Sequence, residues 1–313
     1  MNIINALMAP ITSIINTLMI LLQSAASQGV VWALLAIGVF ITYRILDIAD
    51  LTAEGSFPLG AGIAAISITS GLSPWLATLL GFGGGVLAGL VSGLLHTKLK
   101  IPALLAGIIT MTGLYSVTSR VMRAPNIALL GEKTIFSWFQ ELGLSKINAT
   151  IIVGTLVALL IILLLFLFFR TELGLAIRAT GDNIDMSEAN GINTNSMKMI
   201  GYMISNGCIA LSGALIAQNN GFADLNSGVG TIVIGLASII IAEVLFRNQP
   251  LLLRLFTIVF GAIAYRFILA IVFELNVRPE DSKIASAIVL VLCLSLPQIR
   301  AKLGLNKRKK GGV

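Results

Sequence analysis

The sequence predicts an all-α polytopic membrane protein of about ten transmembrane helices, with a discontinuous helix region and inverted pseudo-repeats. Hydrophobic residues make up 57% of the 313 positions and charged residues only 11%, against roughly 25% charge in soluble chains. The mean hydropathy is +0.96. Uncharged runs recur along the chain, each near the ~20 residues that cross a ~30 Å hydrocarbon core as helix. Together these exclude a soluble globular protein, a disordered chain and a secreted disulfide scaffold. Cys208 and Cys293 both lie in apolar runs and read as buried small hydrophobes.

Met1 to Tyr43 carries no charged side chain. It accommodates two spans, 4–23 and 28–46, with Gln23 to Gln28 as connector. If the first lies along the interface, nine segments cross instead of ten. The next uncharged run, 56–97, is broken at Gly71-Leu72-Ser73-Pro74 into a short span and a longer one. Further spans are expected at 101–119, 149–169, 199–217, 228–246, 251–273 and 284–296. An even count places both termini on one side. With that side cytoplasmic, Arg44, Lys98, Lys100, Arg170, Arg178, Lys198, Arg247 and Arg254 face inward. Arg120, Arg123, Lys133, Lys146, Arg278 and Lys283 face outward, the smaller share, as the positive-inside rule requires. The chain is then one transmembrane domain, 1–300, with a basic cytoplasmic tail, 301–313, ending in Lys307, Arg308, Lys309 and Lys310. The tail anchors topology or touches anionic lipid. The net charge of +7 belongs to these loops and not to a nucleic-acid surface.

Between two apolar runs stand Asp47, Asp50 and Glu54, and Gly55, Pro58 and Gly60 argue against a regular helix through 47–60. Unwound backbone at membrane depth survives only buried in protein or along a water-filled path, and acids at that depth point to function. A plain cytoplasmic turn with exposed acids is the other reading. Ala49-Asp50-Leu51-Thr52 is echoed by Ala223-Asp224-Leu225-Asn226 on the expected opposite face, the pattern of inverted repeats around a pathway. The candidate path residues are therefore Asp47, Asp50, Glu54, Gly55, Ser56, Asp224 and Asn226.

Residues 171–195 mix charge with apolar positions at helical spacing: Leu175, Ala176 and Ala179, then Met186 and Ala189. Gly181 and Gly191 are placed to cap or interrupt two short helices. Such a segment is either a docking surface or a solvated loop. Gly81, Gly85, Gly89 and Gly93 recur every four residues and allow close helix approach, within the chain or between two copies. Glu243 and Glu274 sit near span ends. Arg266 lies deeper and must pair with an acid or snorkel. No phosphate-loop, His-Glu-x-x-His or Gly-x-Ser-x-Gly motif is present, and His96 is the single histidine. No catalytic residue, metal site or bound cofactor is expected on this chain.

The string Arg170-Thr-Glu-Leu-Gly-Leu-Ala-Ile-Arg-Ala-Thr-Gly-Asp-Asn, with Glu188-Ala-Asn-Gly-Ile-Asn, resembles the coupling segment of ABC importer permeases of the branched-chain amino acid/ribose branch. Asp50-Leu-Thr-Ala-Glu-Gly-Ser resembles that family's Asp-Leu-Ser-Val-Gly-Ser type segment, with one residue more. Residues 45–61 look closer still to the tryptophan/tyrosine uptake subgroup, and the likeness runs from about 28 to 300. The resemblance implies a non-catalytic permease subunit of the bacterial cytoplasmic (inner) membrane, forming the path for an amino acid, aromatic in the subgroup. It implies two permease copies, a homodimer. It implies an ATPase dimer that holds ATP and Mg and docks at Arg178, Thr180, Gly181, Asp182, Glu188 and Gly191. An extracytoplasmic binding lipoprotein would deliver the solute. On the residues alone, an ion-coupled secondary transporter using Asp47, Asp50 and Glu54 as its ion site stays open.

Overall fold

The structure is a computed structural model that describes residues 3–246 and 249–274, with 284, 287–292 and 295, and side chains from Asn16 onward. Positions 285, 286, 293, 294 and 296 of the expected last span, with Cys293 among them, and Arg247, Arg278, Lys283 and the tail 301–313 lie outside the described residues. The first helix, α1 (Ile3–Phe40), runs directly into a π-helical turn, Ile41–Ile45. The two spans expected at 4–23 and 28–46 are thus one helix of 38 residues, about 57 Å long at 1.5 Å per residue. Gln23-Ser-Ala-Ala-Ser-Gln28 contains no proline or glycine, and its polarity alone does not interrupt a helix. The common side assigned to both termini rested on the even count and loses that support.

After the turn come α2 (Ala53–Thr69), α3 (Pro74–Thr97), α4 (Ala103–Met122), the short strand β1 (Asn126–Ala128), α5 (Ile135–Glu141) and α6 (Lys146–Phe168). Then follow α7 (Glu172–Asp182), α8 (Ile184–Ala189), α9 (Thr194–Asn220), β2 (Phe222–Asp224), α10 (Thr231–Leu245) and α11 (Leu251–Glu274). Side-chain caps set many of the starts. Ser73, Ser145, Thr171, Asn183 and Asn193 each accept from a backbone N–H three residues on, satisfying a donor that the helix leaves free. β1 and β2 pair antiparallel, Ile127 opposite Ala223, and make a two-stranded ribbon at one end of the bundle.

Among the described residues six helical stretches are long and apolar enough to cross a bilayer: 16–45, 74–97, 103–122, 146–168, 194–220 and 251–274. The helices α2 and α10 are too short to do so alone. Their 17 and 15 residues reach only about 25 and 22 Å. The helix α2 does run through Gly55, Pro58 and Gly60, so the expected irregular stretch narrows to 46–52. Neighbouring helices shelter the backbone that proline disrupts, which is why a proline is tolerated there.

The centre of the bundle is α9, whose residues from Ser205 to Gln218 are all buried. Helices α1, α2 and α3 surround it. On α3, Gly85 faces the carbonyl of Asn206, Gly89 that of Tyr202, and Gly93 the backbone of Met199. Gly81 faces the carbonyl of Gly60 on α2 and Ala214 on α9. The four-residue glycine row therefore packs inside the chain. In contrast, α6 is the most apolar span and turns much of its surface outward, with Leu156, Leu160, Leu163, Leu164 and Leu167 exposed, as a lipid-facing helix does. A Gly85→Val change is expected to lower unfolding stability in detergent by about 1–3 kcal/mol through overpacking. Gly83→Ala, at a glycine with open space beside it, should leave stability unchanged or raise it by up to about 1 kcal/mol.

Candidate functional site

The irregular stretch begins where Asp47 takes φ +54° and ends the π turn. That left-handed conformation suits Asp, whose short polar side chain bonds locally. Asp47 is exposed at the end of the bundle that carries Arg44, Lys98, Arg178 and Arg254, the basic end. From there the chain returns into the bundle. Asp50 is 4% exposed. Its Oδ1 accepts from the Thr52 N–H at 2.9 Å and its Oδ2 from Asn206 Nδ2 at 2.8 Å. Asn206 also donates to the Tyr202 carbonyl at 3.0 Å, and its Oδ1 accepts from Ser56 Oγ at 2.7 Å. Thr52 Oγ1 donates to Ser92 Oγ at 2.8 Å. One buried network thus ties the return segment and the start of α2 to α9 and α3. The Tyr202 hydroxyl lies buried nearby, without a hydrogen bond among the described residues.

The echoed motif folds the same way. Asp224 Oδ1 accepts from the Asn226 N–H at 2.6 Å, the i to i+2 turn that Asp50 makes with Thr52. Asp224 is half-buried and Asn226 exposed at the ribbon end. From there 225–230 dips inward to start α10. The two short helices meet at their N-termini: the Gly230 N–H donates to Glu54 Oε1 at 3.0 Å. Pro58 has no N–H to offer the Glu54 carbonyl, and Gly228 packs directly against that oxygen and the proline ring. From this meeting point α2 leads to the ribbon end, where Ala61, Ala65 and Ile68 pack with Ala223 and Leu225. The helix α10 leads to the basic end, where Glu243 Oε1 accepts from Arg44 Nε at 2.8 Å and from Arg254 Nη2 at 2.6 Å. Each helix brings its positive dipole end to mid-depth, and each has a carboxylate placed against it. Gly55 and Ser56 are buried beside this junction, Gly55 against Met111 and Leu114 of α4.

The segment 171–195 forms the two expected short helices, and Gly191 ends α8 with φ +80°. Gly181 does not act as a cap. It lies within α7, and a Cβ there would overlap the Ile45 carbonyl, so α7 presses on the π turn through this glycine. Thr180 also faces inward, with its Oγ1 donating to the Ala176 carbonyl at 2.8 Å. Arg178, Asp182, Glu188 and Gly191 are exposed, although Glu188 Oε1 accepts from Thr194 Oγ1 at 2.7 Å. Beside them Leu173, Leu175, Ile184 and Met186 are exposed apolar residues, Met186 at 65%.

Asn206, Tyr202, Gly228 and the Arg44–Glu243–Arg254 cluster did not stand out in the sequence. An amide inside an apolar span was the available signal for Asn206, since polar side chains in membrane helices mark interhelical hydrogen bonds.

A family model described as "Branched-chain amino acid transport system / permease component" matches residues 21–294. The chain belongs to this permease family. The resemblance to ABC importer permeases of this branch is thereby borne out. Among the permease's relatives, the tyrosine transport system permease protein of Clostridioides difficile is 40% identical over 296 residues, covering 92% of this chain and 98% of that one. The galactofuranose transporter permease protein YtfT of Escherichia coli is 28% identical, covering 88% and 78%. A chain of the solved structure of PsaBC from Streptococcus pneumoniae in complex with Fab has a TM-score of 0.50 at 15% identity, covering 87% and 90%, and so shares the fold.

Asn206→Ala strands one oxygen of Asp50 and the Ser56 hydroxyl. It is expected to lower denaturant stability by roughly 2–4 kcal/mol. Combined with Asp50→Ala the loss should fall short of the sum by about 1–3 kcal/mol. Strictly additive losses would show that the two side chains act apart.

Proposed function

We propose that this permease is the membrane-spanning subunit of an ATP-driven importer for an aromatic amino acid, in a bacterial cytoplasmic membrane. Two copies enclose one path. A separate ATPase dimer, which holds ATP and Mg, docks beneath residues 171–195, and an extracytoplasmic binding lipoprotein delivers the solute. The 40% identity to the C. difficile tyrosine permease over nearly its whole length supports the solute class.

One observation carries the ATP-driven reading. The α7–α8 pair presents uncovered apolar side chains beside Arg178 and Asp182, while its inner surface bears on the Ile45 backbone through Gly181. An ATPase seated on the outer surface has a short line of force into the bundle. Movement of α7 shifts the π turn. Arg44 on that turn pulls Glu243, and Glu243 sits at the end of α10, whose other end meets α2. Push and release there switch access by rigid movement of packed elements. The ion-coupled alternative needs Asp47, Asp50 and Glu54 in one site, yet Asp47 is exposed, Asp50 turns to α9 and Glu54 to α10.

Purification of the tagged chain from its own membrane tests the assembly. A stoichiometric partner with a phosphate loop is expected, and a chain that comes down alone and takes up solute on an ion gradient would sink the proposal. In the reconstituted importer, Arg178→Glu or Asp182→Lys should reduce uptake roughly tenfold or more at unchanged expression and thermal stability. Uptake and ATP hydrolysis at wild-type rates in both variants would remove the docking assignment.

A further inference from the structure

Away from the helix junction, α1 and α11 line a half-open cavity of about 280 Å³ towards the ribbon end. Leu21, Leu269 and Phe273 give it an apolar wall, and Ser24, Gln28, Arg266 and Glu274 a polar one. The volume lies just below the range of ordinary small-molecule pockets.

Arg266 is the unusual member. It stands about 18 Å further along α11 than Arg254 and about 12 Å short of Glu274, so it lies well inside a ~30 Å hydrocarbon core. Its guanidinium lies over the Trp32 ring, 4.2 Å from the centroid. Nη1 donates to Gln28 Oε1 at a long 3.3 Å. Nε is buried and makes no hydrogen bond among the described residues, nor does Arg266 form an ion pair among them. A guanidinium carries five N–H donors in a fixed fork. One long bond to a neutral amide and one ring are its contacts among the described residues, and neither supplies a counter-charge. Arginines at such depth persist when they are paired or line a watery cavity, and among the described residues this one lines a cavity and makes no ion pair.

We propose that this cavity binds a zwitterionic amino acid on its way through the permease, with the solute's carboxylate on the Arg266 guanidinium. Planar carboxylate is the group that the fork matches with two parallel hydrogen bonds. Leu269 and Phe273, in the same cavity, offer an apolar wall for the side chain. A phospholipid phosphate is the other source of anionic oxygens. Its place is the interface, at the level of Glu274 and beyond, and drawing it down to Arg266 would bring it past that carboxylate. The inference rests on the transport reading above and adds a contact on the path.

Protection from thiol labelling tests it in the full chain. Cys208 and Cys293 are replaced by alanine, Ser24→Cys is introduced, and the protein is held in nanodiscs with a small methanethiosulfonate as reagent. L-Tyrosine should slow labelling, and L-tyrosine methyl ester, with the same cation and ring but no carboxylate, should not. Arg266→Gln should raise the half-protecting concentration of L-tyrosine roughly 10- to 100-fold, the range for losing a hydrogen bond to a charged group, and Arg266→Lys should raise it less. Equal protection by the ester overturns the proposal, and that comparison needs no substitution at Arg266. Unchanged protection in Arg266→Gln also overturns it. Arg266-dependent protection by a different amino acid sustains the site while refuting the aromatic solute. Protection by no amino acid refutes the site and leaves the ATP-driven reading to its own test. Loss of a co-purifying phospholipid from Arg266→Gln, with no amino-acid protection, would assign the guanidinium to lipid phosphate instead.

Discussion

Water does not reach a hydrocarbon core, so a chain that leaves the helix there must find partners for its polar groups inside the protein. Two segments of this permease do so, 46–52 and 225–230, one entering from each end. The first is held by Asp50, which spends one carboxylate oxygen on its own backbone and the other on Asn206 of α9. The second is held by Glu54, which reaches from α2 to the Gly230 N–H. Those two carboxylates, with Gly228 packed on the Glu54 carbonyl and the Pro58 ring, keep the N-termini of α2 and α10 together at mid-depth.

The same joints make the two ends of the bundle communicate. Glycines allow backbone to lie on backbone between α2, α3 and α9, so these three helices form one close-packed body in which a small displacement cannot be absorbed locally. The helix α10 packs closely as well, Gly235 against Leu35 and Val39 of α1 and Gly261 of α11 against its Ser238 carbonyl, and its ends are joined by Glu54 and by two arginines. Ionic contacts at an exposed end are weaker and more easily exchanged than buried packing.

Much of this was legible in the sequence, and the failures have physical causes. The spans were readable because a bilayer imposes length and apolarity on every crossing segment. The Ala-Asp-Leu echo was readable because the same local turn needs the same short acid in both halves. The continuity of α1 was not, since Gln and Ser between apolar runs look like a connector yet carry no helix-breaking geometry. Pro58 misled for the opposite reason: it breaks one hydrogen bond, and tertiary packing sheltered the freed Glu54 carbonyl. Gly181 resembled a cap because sequence cannot tell a glycine that needs positive φ from one that needs room, and here Ile45 occupies the space a side chain would take. Asn206 was hidden because its partners lie about 150 positions away.

The make-up of α9 bears on how the protein is built. It is buried and carries Ser205, Asn206, Ser212, Gln218 and Asn219 through the bundle. Their partners on other elements are the carbonyls of Val31 and Gly38, the side chains of Thr42, Asp50, Ser56, Thr78 and Thr150, and the N–H of Ile135. All of them precede Thr194 in the chain. A ribosome translating in order has therefore finished every group that α9 needs before α9 itself emerges. Had the order been reversed, five polar side chains would have entered the bilayer with nothing to receive them. Gene order and bond order agree, and the least apolar part of the core can be laid into a cradle already made, before α10 and α11 follow.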